Sequence, residues 1–235
     1  MRNESIENLI RITNEILQTK YPSAEFAFLA GSIIRGEGTP FSDLDIVVIF
    51  ADLPNAFRES FYFQEFPVET FVHTPESLNY FFELDAKEKV PSLAVMVSEG
   101  VVVPGGNDLS NKLKKTANEI LANPPKITEK EIASFRYQIT DLLDDIREPR
   151  SKNTLIGAAT GLYPILAEFY LRINGQWSAK RKAIPKYLAK ADQNFAERFC
   201  AGFEELFGQG KTERIIKLSE ETLEPHGGLL FDGVR

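Results

Sequence analysis

Cysteine is almost missing from this 235-residue chain, where Cys200 stands alone. No intramolecular disulfide can form, which fits a reducing cytoplasm. Cys200 lies in an apolar helical pattern with Phe195, Phe199, Phe203 and Leu206, so it reads as an inert core thiol. A surplus of positive charge is missing too. The 27 Lys and Arg face 34 Asp and Glu, and a net charge of −7 argues against a general nucleic-acid binder, which needs a basic face. No clean membrane-length apolar run is present either. The most apolar stretch, 154–171, carries Glu168, Pro164 and two glycines, and reads as a buried helix. Met1-Arg2-Asn3-Glu4-Ser5 has no apolar signal core, so nothing there suggests export. Internal repeats and low-complexity tracts are lacking. What remains is ordinary globular composition, 43% hydrophobic and 26% charged, in a chain long enough for one large or two small domains.

Hydrophobic spacing organises the rest. Ile6, Leu9, Ile10, Ile12, Ile16 and Leu17 fall near helical spacing and predict an amphipathic first helix over 5–19. Residues 24–30 and 43–50 read as strands joined by a turn with a short helix. The alternating, β-branched and aromatic run Pro67–His73 predicts a third strand. Thr74-Pro75-Glu76 opens a helix to about Lys89, a short buried helix covers 92–98, and Gly100–Pro104 forms a last short strand. From there the signals are helical. Residues 108–122 are interrupted by Asn123-Pro124-Pro125, and Thr128 to Glu131 is a capping-box pattern that starts a long helix. The expected division is 1–110 as an α/β half and 111–235 as an all-α half.

The densest chemistry lies at 31–45, Gly-Ser-Ile-Ile-Arg-Gly-Glu-Gly-Thr-Pro-Phe-Ser-Asp-Leu-Asp. Side chains alternate along a strand, so Asp43 and Asp45 share a face about 7 Å apart. Two carboxylates that close repel unless a cation lies between them, and hard divalent ions such as Mg²⁺ take such oxygens together with substrate phosphates. The Gly31-Ser32 turn lets backbone N–H groups approach a phosphate. These residues point to metal-assisted chemistry on a nucleoside triphosphate.

Gly31-Ser32, Arg35-Gly36 and Ser42-Asp43-Leu44-Asp45-Ile46 resemble the signature of nucleotidyltransferases of the DNA polymerase β superfamily. The order of the two halves is similar to that of the antibiotic nucleotidyltransferases acting on aminoglycosides and lincosamides. The resemblance implies an α+β fold: a small mixed-sheet nucleotidyltransferase domain followed by a helical bundle that walls an acceptor and nucleotide cleft. It also implies a third carboxylate on a neighbouring strand. Glu69 is the only acid inside the otherwise apolar 66–73 run, where a buried carboxylate is costly unless a metal or partner compensates it. The alternative is a half-exposed strand with Glu69 in solvent. His73, on the same strand face, could reach substrate or be a strand-end histidine.

On this reading Asp43, Asp45 and Glu69 are the catalytic and metal-binding residues, holding two Mg²⁺ ions. Gly31 and Ser32 cradle phosphates, and Ser42 braces the turn or contacts nucleotide. Arg35 pairs with phosphate or bridges nearby acids. Lys182 and Lys186, in a stretch with five positive charges and no acid, are candidates for the triphosphate or for a solvated face, and Pro185 between them favours a helix start. Glu168 is a cleft base or a bridge to Arg172 or Arg181. The implied activity is transfer of a nucleoside monophosphate, AMP from ATP, to a hydroxyl acceptor in the interdomain cleft with release of pyrophosphate. A small molecule such as an antibiotic is the first acceptor class, and a protein hydroxyl the alternative. A non-catalytic nucleotide-binding regulatory or antitoxin-like module is the rival outside enzymes. The expected setting is cytoplasmic, with no membrane and no nucleic-acid partner, and a homodimer left open.

Overall fold

Two-sided burial of the central strands sets the architecture. The computed structural model describes residues 5–232, so Met1–Glu4, which carry most of the leader reading, lie outside it. The fold is α+β, in two compact units, Met1–Asn123 and Pro124–Arg235.

In the first unit, α1 (Ile6–Lys20) precedes β1 (Phe26–Ala30), the single turn α2 (Gly31–Ile34) and β2 (Leu44–Ile49). Then come β3 (Phe57–Phe63), β4 (Phe66–His73), α3 (Pro75–Lys87), α4 (Ser92–Glu99), β5 (Val101–Val103) and α5 (Asp108–Leu121). The five strands form one mixed sheet in the order β3-β4-β2-β1-β5, with β2 and β4 parallel and the other pairs antiparallel. Leu44, Ile46 and Val48 join Val68, Val72 and the α1 residues Leu9, Ile12 and Ile16 in one core. Val47 and Ile49, on the opposite face, pack with Leu78, Phe82, Val97, Leu113 and Ala117 of α3, α4 and α5. Strands covered on both faces read as nearly continuous apolar runs, as β1 and β2 do. Asp45 interrupts that run on the Val47 face, and Glu69 stands opposite it in the parallel register.

β3 was not anticipated from the sequence. It is an edge strand, exposed or half-buried at every position; Phe61 and Phe63 pack against the core, but Glu59 interrupts their face and Tyr62 on the other stands in solvent. Its hairpin turns through Gln64 at φ +53°, without the glycine that usually announces such a turn. Leu113 and Ala117 bury α5 in the first unit, so the division falls at the Asn123-Pro124 breaker, just after the helix.

The second unit holds α6 (Glu129–Arg147), α7 (Lys152–Ile173), α8 (Ile184–Ala191), α9 (Gln193–Gln209) and α10 (Glu213–Leu223) around one apolar core. The capping boxes at Thr128/Glu131 and Ser151/Thr154 start α6 and α7. By length and composition α7 could cross a membrane, but Leu155, Ala159, Leu162, Leu166 and Phe169 pack it into this core. Cys200 is only half-buried at the margin of the core, because Phe199 and Phe203 take the inward positions of α9. Burial still pushes its thiol pKa up, which keeps it protonated and weakly nucleophilic.

Candidate active site

The end of β1 and the start of β2 face each other across Ala30 and Asp45. Gly31 follows at once, with φ +85°. Only glycine holds that conformation without strain, and here a second constraint coincides with it. A Cβ at this position would lie 2.8 Å from Asp45 Cγ and closer still to Oδ2. The backbone of the Gly-Ser turn is therefore pressed against the Asp45 carboxylate.

The rest of the loop is tied by short-range hydrogen bonds. Glu37 N–H donates to the Ser32 carbonyl at 2.9 Å, and Ser42 N–H to the Thr39 carbonyl at 3.0 Å. The Thr39 N–H donates back to Ser42 Oγ at 2.9 Å, and Ser32 Oγ donates to the same hydroxyl at 3.3 Å. Ser42 thus ties the two ends of the loop and sets the approach to Asp43. Arg35 donates to Glu37 at 3.0 Å and to Glu99 of α4 at 3.3 Å. Of the two roles open to it, the acid-bridging one is occupied.

Asp43, Asp45 and Glu69 are half-buried, and each offers a carboxylate oxygen within 4.8 Å of the other two. Asp43 enters from the loop, Asp45 from β2 and Glu69 from β4. An all-oxygen, triply anionic donor set of this size suits a hard divalent cation. Glu69 also has partners that lie outside the sequence reading. Arg58 of β3 donates its Nε to Glu69 Oε1 at 2.7 Å and adds an Nη2 bond to the same oxygen. Ser60, directly across the ladder, donates its hydroxyl to it at 3.3 Å. The aromatic run around Phe61 was the available signal for this strand.

Other candidates are placed differently. His73 lies opposite Ile49, four residues beyond Glu69, or roughly 13 Å along the strand. Its ring is 4% exposed, meets Ser77 Oγ at 3.3 Å through Nδ1 and packs edge-on to Phe81. Burial lowers its pKa to about 4, so it is a neutral core histidine at the foot of α3. In the second unit, Pro185 does begin a helix. Lys182 therefore falls in the preceding 3₁₀ turn and Lys186 in the first turn of α8, so one helical face does not carry both. Glu168 accepts from Ser178 Oγ at 3.2 Å and bridges to neither arginine, while Arg172 turns instead to the Pro125 carbonyl.

Residues 10–148, well over half of the chain, match the family described as a nucleotidyltransferase domain. No curated protein matches. Among solved structures, a nucleotidyltransferase-like protein from Exiguobacterium sibiricum 255-15 aligns with a TM-score of 0.45 at 18% identity. The alignment covers 92% of this chain and 73% of that one.

Proposed function

Because this chain belongs to the nucleotidyltransferase-domain family of the DNA polymerase β superfamily, we propose that it transfers AMP from ATP to a hydroxyl group of a small acceptor, releasing pyrophosphate. The observation that carries this reading is the convergence of Asp43, Asp45 and Glu69 within 4.8 Å of one another. These residues would hold Mg²⁺. Bound there, the metal would offset charge on the triphosphate and lower the pKa of the acceptor hydroxyl.

The chain's own contribution is placement. Phosphoryl transfer asks for little covalent chemistry from the protein, so fixed positions and charge neutralisation carry most of the catalysis. Gly31 and Ser32 present backbone beside Asp45, where the phosphates are read to bind. The Ser42 and Arg35 bonds hold that loop still. The acceptor oxygen forms its bond to the α-phosphorus as the bond to the β-phosphate oxygen breaks. Pyrophosphate takes that electron pair, and the hydroxyl proton passes to a carboxylate or water. The helical unit is read as contributing to nucleotide and acceptor binding, with Lys182 and Lys186 contacting the triphosphate. An antibiotic with exposed hydroxyls is the acceptor class to screen first, and the cytoplasm the compartment in which ATP and Mg²⁺ would be met.

The test needs no knowledge of the acceptor. A ligand that binds the folded state alone stabilises it by about 2.7 kcal/mol at a hundred times its Kd, which displaces the melting curve. Wild type and Asp45→Asn are melted with each nucleoside triphosphate, with and without Mg²⁺. A Mg²⁺-dependent rise with ATP that disappears in Asp45→Asn supports the reading. Equal melting temperatures with every triphosphate would remove it. In the same design Lys186→Ala should weaken nucleotide binding and shrink the ATP-dependent rise, and an unchanged rise assigns that lysine to the solvated face.

A further inference from the structure

Arg58 reaches the carboxylate trio from an edge strand. The β3–β4 register sets Ser60 opposite Glu69 and Arg58 opposite Phe71. All four side chains therefore stand on one face of the sheet. The Arg58 guanidinium lies 5.1 Å from the Phe71 ring centre and directs two N–H groups at Glu69 Oε1, with Ser60 adding a third donor. Glu69 Oε2 has no hydrogen-bond partner among the described residues. The two charges differ sharply in setting: the Arg58 side chain is 63% exposed, that of Glu69 only 15%.

A guanidinium is a large delocalised monocation, held here along its Nε–Nη2 edge by one oxygen and beside one ring. Exposed ion pairs of this kind are weak and easily exchanged. The carboxylate is different, being half-buried and within 4.8 Å of two further acids, so it needs a compensating cation whether or not a metal is bound. We infer that Arg58 holds the place of a divalent cation at Glu69, neutralising the carboxylate in the metal-free protein and withdrawing when Glu69 ligates metal. This rests on the reading of Asp43, Asp45 and Glu69 as a metal centre. Arg58 is thus a positioning residue, and it sets how readily the centre loads. Withdrawn from Glu69, its arm at the sheet edge stays within a side chain's length of the site, where a guanidinium suits phosphate oxygens.

The opposite role is also physically coherent. Hydrogen bonds donated to a ligating carboxylate commonly fix it in place, and losing them weakens metal binding about 10- to 100-fold. The sign of the effect therefore separates the two roles. Mn²⁺ alone is titrated into full-length wild type, Arg58→Met, Arg58→Lys and Asp45→Asn, with free Mn²⁺ followed by electron paramagnetic resonance. Removing a unit charge several ångströms from a divalent ion should tighten Arg58→Met binding about five- to tenfold. Arg58→Lys, which keeps the charge without the fork, should fall between. The metal-free melting point of Arg58→Met should drop, and saturating Mn²⁺ should erase the difference from wild type. Equal Mn²⁺ affinity makes Arg58 a plain surface partner, and weaker affinity makes it a fixed brace; either overturns the exchange while leaving the centre intact. If wild type takes up no Mn²⁺, or Asp45→Asn takes it up equally well, the centre itself fails, and the exchange with it.

Discussion

At Gly31 two independent requirements meet in one residue, the positive φ of the turn and the Asp45 carboxylate lying where a Cβ would stand. They have different consequences. The backbone term is local, and putting an L-residue in the left-handed region costs about 1–2 kcal/mol. The contact term displaces Asp45, and a shift of about 1 Å in a reacting geometry can cost a hundredfold in rate. Gly31→Ala should therefore remain folded, with unfolding free energy lowered by about 1–2 kcal/mol, while turnover falls by at least about a hundredfold. Urea unfolding and pyrophosphate release measure the two terms separately. A proportionate small loss in both would mean that Asp45 tolerates the displacement. Tyr21 makes a different kind of support. Its hydroxyl meets buried Thr70 Oγ1 at 2.8 Å and donates to Glu59 at 3.1 Å, tying the end of α1 to the strand that carries Glu69. Burial is the main reason its pKa rises to about 12, so the phenol stays a donor at any physiological pH. Thr70 keeps a second bond, to the Glu59 carbonyl, in Tyr21→Phe. That variant should consequently lose only about 1 kcal/mol in urea unfolding.

Among elements, β4 does most to place the site. One end holds Glu69 beside the aspartates and the other buries His73 against α3. A histidine held neutral makes stability depend on acidity in a definite direction. Its folded pKa, about 4, lies below the ordinary 6.5, so between those values the unfolded chain binds the extra proton. His73 therefore contributes stability that is complete above about pH 6.5 and is lost as the pH falls toward 4, to a ceiling of about 3 kcal/mol. Unfolding free energies of wild type and His73→Asn at pH 7.5 and pH 5 should diverge less at the lower pH, and a pH-independent difference would contradict the neutral assignment. Legibility follows the same strands. β1 and β2 are readable because sheet interior covered on both faces leaves long apolar runs, and β4 because buried and half-buried residues alternate along it; Asp45 and Glu69 stand out in these strands as single acids. Gly31 and Ser42 are readable because a turn narrows the residue types that it accepts. β3 is not, since an edge strand leaves one side in solvent and Arg58, Glu59 and Ser60 interrupt its aromatic residues. With β3 went Arg58 and Ser60, the partners of Glu69. Of the two roles open to His73, the strand-end histidine is the one found, since four residues of strand separate it from Glu69.

For the molecule as a whole, the family match runs from 10 to 148, past the division after Asn123 and through α6, so the matched segment includes the entry into the helical unit. That entry is held by a buried charge. Arg172 of α7 is 1% exposed and donates Nη1 to the Pro125 carbonyl, just beyond the division. Its Nη2 stands 3.9 Å from Glu131 Oε1, too far for a hydrogen bond, and neither Nη2 nor Nε has a hydrogen-bond partner among the described residues. A charge-assisted bond contributes about 1.5–3 kcal/mol, and each buried donor left unmade costs about 1–3. With two such donors against one bond the balance leans to the cost, so the guanidinium as a charge adds no net stability, although its volume fills the core. Arg172→Met, which keeps most of that volume, should leave the unfolding free energy unchanged or raise it. Arg172→Ala leaves a void and should cost about 2–5 kcal/mol, as large-to-small core changes do. Two compact units need not melt together, so amide hydrogen exchange resolved along the chain is the suitable measurement. Protection in Arg172→Ala should fall across α6 and α7, while the Gly31–Asp45 loop and the strands around it keep their wild-type protection. A loss of several kcal/mol in Arg172→Met would instead show that the Pro125 bond and the Glu131 charge hold this entry together.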